Sequence, residues 1–126
     1  MVLVDVLKYN AVNETLQEAV ADKATAPTMI FDEVDVGVGG AVADVVGRLL
    51  RTLSDNAQVL CVTHLPQVAA KGHQHIQVSK AGDHAVTTSL QYLSDHERVE
   101  ELSRMLGGAA VTDATRENAR ELLAAT

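Results

Sequence analysis

The chain is 126 residues long, 47% hydrophobic and only 2% aromatic, with 10 basic against 17 acidic side chains and a net charge of −7. That length suits one domain of the common size of about 100–150 residues, and hardly two. The acidic balance argues against broad, sequence-independent nucleic-acid binding, which needs clustered Lys and Arg, and the single cysteine, Cys61, excludes an internal disulfide framework or a multi-cysteine zinc module.

Val2–Leu7 reads as a short strand. Asn13 then has the character of an N-cap, followed by Glu14 and by Leu16, Ala19 and Val20 at helical spacing. Ala26-Pro27 ends that helix, because proline disfavours a helical residue before it. The apolar run Thr28-Met29-Ile30-Phe31 predicts a buried strand that stops at Asp32-Glu33-Val34-Asp35, and the glycine-rich bend Gly37-Val38-Gly39-Gly40 follows. Val42, Val45, Val46, Leu49, Leu50 and Leu53 then recur as one apolar stripe, the clearest helix of the chain, with Asp44, Arg48 and Arg51 off the stripe. After the turn at Ser54-Asp55-Asn56, the unbroken run Val59-Leu60-Cys61-Val62 predicts a strand covered on both faces, stopping at Thr63-His64-Leu65-Pro66. Strand, helix and strand from Thr28 to Val62 form a right-handed βαβ unit with two parallel strands.

Farther along, Ile76–Ser79 and Ala85–Tyr92 predict a hairpin joined by Lys80-Ala81-Gly82-Asp83. Ser94-Asp95-His96-Glu97 is a capping box. It opens a helix bearing Val99, Leu102, Met105 and Leu106, which Gly107-Gly108 closes. A last amphipathic helix runs from about Thr112 to Ala125. No apolar run approaches the roughly 18–20 residues that span a bilayer, and Met1-Val2-Leu3-Val4-Asp5 lacks the basic region of a signal peptide. A soluble, cytoplasmic α/β protein is the expectation.

The βαβ unit places chemistry. Asp32 and Glu33 fall at the carboxyl end of one parallel strand and His64 at that of the other, and ligands of open α/β sheets bind beyond this edge. Two carboxylates and an imidazole suit phosphate ester or anhydride hydrolysis. One carboxylate holds Mg²⁺, the second orients and deprotonates water, and the imidazole donates to the phosphoryl group. The competing reading is that Asp32 and Glu33 are solvated residues where a strand leaves the core. A zinc reading, from the spacing of Cys61 and His64 with His73 and His75 nearby, fits no common ligand pattern, and Cys61 suits a small core residue better.

Met29 through Gly40 resembles the Walker B and D-loop region of the RecN family, bacterial SMC-like DNA-repair ATPases, and Val62 through Ala69 resembles its His-switch segment. Gly72-His73-Gln74-His75, Val78-Ser79-Lys80 and Glu101 through Gly108 continue the likeness, which covers about Ala24 to Ala125 in order. It implies a partial P-loop NTPase head of ABC/SMC type, in which residues 24–126 are the C-terminal part and residues 1–23 a divergent segment. It further implies that Asp32 helps hold Mg²⁺, that Glu33 is the general base, and that His64 contacts the γ-phosphate of ATP, with Gln67 a weaker candidate nearby. Asp35 through Gly40, including Gly37 and Gly39, would form the D-loop facing a partner head; ABC transporters often carry Asp where this chain has Gly39, whereas RecN proteins share the glycine character.

The sequence contains no Gly-x-x-x-x-Gly-Lys-Ser/Thr loop to cradle phosphates, and no Ser-Gly-Gly signature before the Walker B strand. The expectation is therefore a fragment of a DNA double-strand-break repair ATPase, inactive on its own, with ATP and Mg²⁺ as the cofactors of the parent family and nucleotide binding by the fragment itself left open. Its partners would be the missing N-terminal half of the head and, through the full-length family protein alone, DNA. The alternative is a non-catalytic α/β module that self-associates through sheet edges and apolar helix faces, with Val2–Leu7 a candidate substitute strand.

Overall fold

The computed structural model describes residues 2–7, 28–32, 39–108 and 110–125. The helix expected from Asn13, its end at Pro27, and Glu33, Asp35 and Gly37 lie outside the described residues. Five strands form one mixed sheet: β1 (Val2–Leu7), β2 (Thr28–Asp32), β3 (Gln58–Thr63), β4 (Gln74–Ala81) and β5 (Thr87–Tyr92), in the order β2-β3-β1-β4-β5. The described helices are α1 (Gly40–Leu53), α2 (Pro66–Ala69), α3 (Asp95–Gly107) and α4 (Asp113–Ala124).

The βαβ pairing is present. β2 and β3 run parallel, Thr28 beside Gln58 through Asp32 beside Val62. β1 lies in the middle of the sheet, antiparallel to β3 on one side and to β4 on the other, with Val4 opposite both Cys61 and His75. β3 and β4 therefore point the same way although they are not neighbours. Val2–Leu7 is thus a strand of the chain's own sheet.

The helices build one core on one face of the sheet. Val59 and Cys61 of β3 pack with Ala43 and Leu50 of α1, Val68 and Ala69 of α2, Leu102 of α3 and Ala119 of α4. Two strand expectations need correction. β3 alternates between buried Val59, Cys61 and Thr63 and half-buried Gln58, Leu60 and Val62, so one of its faces is only partly covered. β2 is an edge strand of the described sheet rather than a buried one: Phe31 packs on the core, while Ile30 on the opposite face is 69% exposed.

α1 is also rotated from the face its hydrophobic stripe predicts. Its buried residues are Ala43, Gly47 and Leu50, whereas Val42, Val45 and Leu49 are exposed. Close approach of α2 explains the choice. A Cβ on Gly47 would lie 2.7 Å from Lys71 Cγ, 3.2 Å from the Gln67 carbonyl oxygen and 3.3 Å from Val68 Cα. Small residues face the neighbouring backbone because larger ones do not fit there.

The β4–β5 hairpin forms with Ile76 opposite Tyr92 and Ala81 opposite Thr87. Its strand limits differ from expectation: Lys80 and Ala81 belong to β4, and Ala85 and Val86 to the connection. Gly82 sets the break, with φ of +116°, where a side chain would collide with the Ala85 carbonyl oxygen. The capping box of α3 is formed: Glu97 N donates to Ser94 Oγ (3.3 Å) and Ser94 N to Glu97 Oε1 (3.0 Å). These bonds hold the Glu97 carboxyl below its ordinary pKa. α3 ends where Gly108 turns to φ +67°, and Thr112 caps α4. Ser103 Oγ donates to Thr115 Oγ1 at 2.6 Å, joining the two helices.

Candidate functional site

The candidate edge is built from four element ends. Asp32 closes β2, exposed, with Val62 beside it in the register. Thr63 closes β3 one residue later, fully buried, and its Oγ1 accepts a hydrogen bond from Leu65 N at 3.0 Å. That bond turns the chain out of the sheet and leaves His64 exposed at the edge. Pro66 then starts α2 at a position where a missing N–H costs nothing.

Gly39 and Gly40 begin α1. Gly39 is the N-cap in extended conformation, and its carbonyl oxygen accepts from Ala43 N at 2.8 Å. Among the described residues no side chain caps this end, and no acid occupies the first turn. The first N–H groups of a helix and the positive end of its dipole favour an anion. Gln67 reaches this point from α2: its Nε2 lies 3.4 Å from where a Cβ on Gly40 would stand. Of the residues expected at the site, the structure gathers Asp32 and His64 at adjacent strand ends, and Gln67 with Gly40 beside Gly39. Glu33, Asp35 and Gly37 lie outside the described residues.

The donor set is a hard one. Asp32 supplies a carboxylate, and Mg²⁺ is commonly held by one or two carboxylates together with substrate phosphates. Among the described residues no three His, Cys, Asp or Glu side chains converge on a possible metal position. The zinc reading fails on geometry as well. Cys61 is buried in the core, whereas His64 is exposed, and His75 is buried within β4, beyond His73 in the preceding turn.

Sequence reasoning missed a second group of charged side chains. Lys71 is 3% exposed, and its Nζ lies 3.2 Å from Asp44 Oδ1, while Arg48 Nε lies 2.7 Å from Asp44 Oδ2. Bonds from Arg48 and Lys71 hold the Asp44 carboxyl below the usual carboxylate range. Glu101, also buried, accepts from Gln77 Nε2 at 2.8 Å and from Arg104 Nε at 2.9 Å. Asp44–Arg48 and Glu101–Arg104 are pairs one helical turn apart, whereas Lys71 and Gln77 join them from elements remote in sequence, where no local pattern marks them.

The mixed sheet with its parallel β2–β3 pair and its layer of helices defines an α/β protein. Relatives narrow this further. The chain is 56% identical over 100 residues to the DNA repair protein RecN of Xylella fastidiosa, covering 79% of this chain and 18% of that protein. It is 49% identical over 117 residues to RecN of Haemophilus influenzae, covering 92% and 21%, and 44% identical over 109 residues to RecN of Rickettsia felis, covering 86% and 20%. No family model matches the chain. The chain belongs to the RecN family and corresponds to a C-terminal part of that protein, spanning about a fifth of the length of the curated relatives it matches. No helix among the described residues is long and apolar enough to cross a membrane.

Proposed function

We propose that this chain is the C-terminal part of the P-loop NTPase head of a cytoplasmic RecN-type DNA-repair ATPase, carrying its Walker B, D-loop and His-switch segments. The carrying observation is that Asp32 ends β2 beside Val62, two residues before His64, while Gln67 stands against the opening of α1. Asp32 would hold Mg²⁺, which when bound offsets charge on the phosphates. Glu33 accepts the proton of the attacking water as its oxygen bonds to the γ-phosphorus and the bond to the β-phosphate oxygen breaks, releasing ADP. His64 donates to the γ-phosphate, and residues 35–40 meet a partner head.

The site is incomplete without a phosphate-cradling loop, which the sequence of this chain lacks. The isolated chain is expected to show no ATP turnover. Addition of the N-terminal head half as a separate polypeptide is expected to restore turnover, and Glu33→Gln to reduce it by about 10²–10⁴-fold. Turnover by the isolated chain that disappears in Glu33→Gln would overturn the incomplete-site reading.

A second reading, self-association without catalysis, is favoured by the exposed stripe Val42 (52%), Val45 (53%) and Leu49 (43%) on α1. Light scattering is expected to report dimers that dissociate in Val45→Glu. A clean monomer at high concentration removes this reading.

A further inference from the structure

A second site lies at the other end of the helical layer. α1 carries the chain from Gly40 at the candidate edge to Arg51, about 16 Å along the helix axis at 1.5 Å per residue. There Arg51, Arg98 at the start of α3 and Arg120 near the end of α4 line a cleft of about 530 Å³. An adjoining recess of about 300 Å³ shares Arg51 and adds Arg48 and Lys71. Five of the chain's ten Lys and Arg residues thus line these two recesses, Lys71 buried at the floor of its own, in a protein whose net charge is −7.

Their charges are unequally matched. Asp44 pairs with Arg48 and Lys71, and Glu117 lies 3.3 Å from Arg120. Among the described residues, Arg51 and Arg98 have no carboxylate within ion-pair distance, although Asp95 lines the same cleft. Main-chain carbonyls hold both guanidinium groups in place instead. Arg51 Nη1 donates to the Lys71 oxygen at 2.6 Å, and Arg98 Nη2 to the Gly72 oxygen at 2.8 Å. A carbonyl orients a guanidinium without neutralising it, and leaves further N–H groups for an anion. Burial lowers the Arg98 pKa from its ordinary value; the charge of Arg51 adds to that shift and Asp95 opposes it.

We propose that this cleft binds the phosphodiester backbone of nucleic acid. The open, two-part shape favours a strand over a lone phosphate. Arg48 and Arg51 stand one helical turn apart, about 5–6 Å between Cβ atoms, and Arg98 and Arg120 continue the row of cations along the main cleft. The acidic composition conceals this segregation, since backbone binding depends on where the cations cluster. The inference is independent of the nucleotide edge, and its failure leaves the ATPase reading untouched.

The test is fluorescence anisotropy of a labelled DNA duplex and of its single strand with the 126-residue chain in low salt. Either probe is expected to bind, with log K falling against log salt at a slope of roughly −2 to −3 for about three phosphate contacts. Arg51→Glu with Arg120→Glu is expected to weaken binding about tenfold or more and to flatten the slope. Lys80→Glu, an exposed cation outside the cleft, is expected to change affinity less than about twofold. Arg120→Glu alone, at a site paired only with exposed Glu117 among the described residues, repeats the comparison should the double variant fold poorly. Absence of binding, or an equal loss in Lys80→Glu, overturns the proposal. Competing inorganic phosphate that binds the cleft while neither DNA probe does overturns the nucleic-acid assignment.

Discussion

Lowering the pH from 7 to 4 is expected to remove about 3 kcal/mol of folding stability through His75 alone. The side chain is 1% exposed, and among the described residues neither ring nitrogen has a hydrogen-bond partner. Burial lowers its pKa to about 4, the positive charge of Arg98 adds to the shift, and Glu101 acts against it. In the unfolded chain an imidazole titrates near pH 6.5. Between these values the unfolded state takes up the proton that the folded state refuses. Stability is therefore complete above about pH 6.5, reduced by nearly 2 kcal/mol at about pH 5, and lowest at and below about pH 4. Urea unfolding of the chain and of His75→Leu across this range gives the difference directly. The carboxyls of Asp44 and Glu97, both held below their ordinary values, lose their own stabilising contribution on acidification, but do so in both proteins. Parallel loss in the two proteins would show that His75 is not the titrating group.

Leu102→Ala is expected to cost about 3 kcal/mol, within the usual range for a buried leucine. Leu102 is fully buried in α3, in one core cluster with Val59 and Cys61 of β3 and Ala119 of α4. The core cluster loses contacts together, and ordered neighbours collapse only partly into the space. Leu90→Ala on β5, where the side chain is 64% exposed, supplies the comparison and is expected to cost less than about 0.5 kcal/mol. Equal urea midpoints for the two variants would mean that the helical layer does not rest on Leu102. A loss of this size matters in a domain whose total stability is of the order of 5–15 kcal/mol.

Local pattern was sufficient for the elements and for part of the site. The strand–helix–strand order from Thr28 to Thr63, the Ser94–Glu97 box and the glycine stop of α3 are each written in adjacent residues, and all are present. Asp32 and His64 were legible for the same reason: a polar residue that ends an apolar strand must sit at the sheet's edge. The buried face of α1 was not. Hydrophobic spacing favours valine and leucine, whereas the neighbouring backbone of α2 selects Ala43 and Gly47, and that neighbour is unknown until the helices pack. The cationic cleft escaped for a related reason. Arg51, Arg98 and Arg120 come from three helices and share no period, so their meeting is a property of tertiary structure alone.

The central place of β1 bears on the order in which the molecule can assemble. Val2 pairs with Thr63 on one side and with Gln77 on the other, so β1 waits for partners that lie much farther along the chain. Until β4 has been synthesised, one edge of β1 has no β4 backbone to bond. Such long-separated pairings raise contact order and slow folding relative to the local α3–α4 unit. When the finished chain refolds, the helical pair can therefore form early, and closure of the sheet around Val2–Leu7 becomes the late event on which completion of the fold depends.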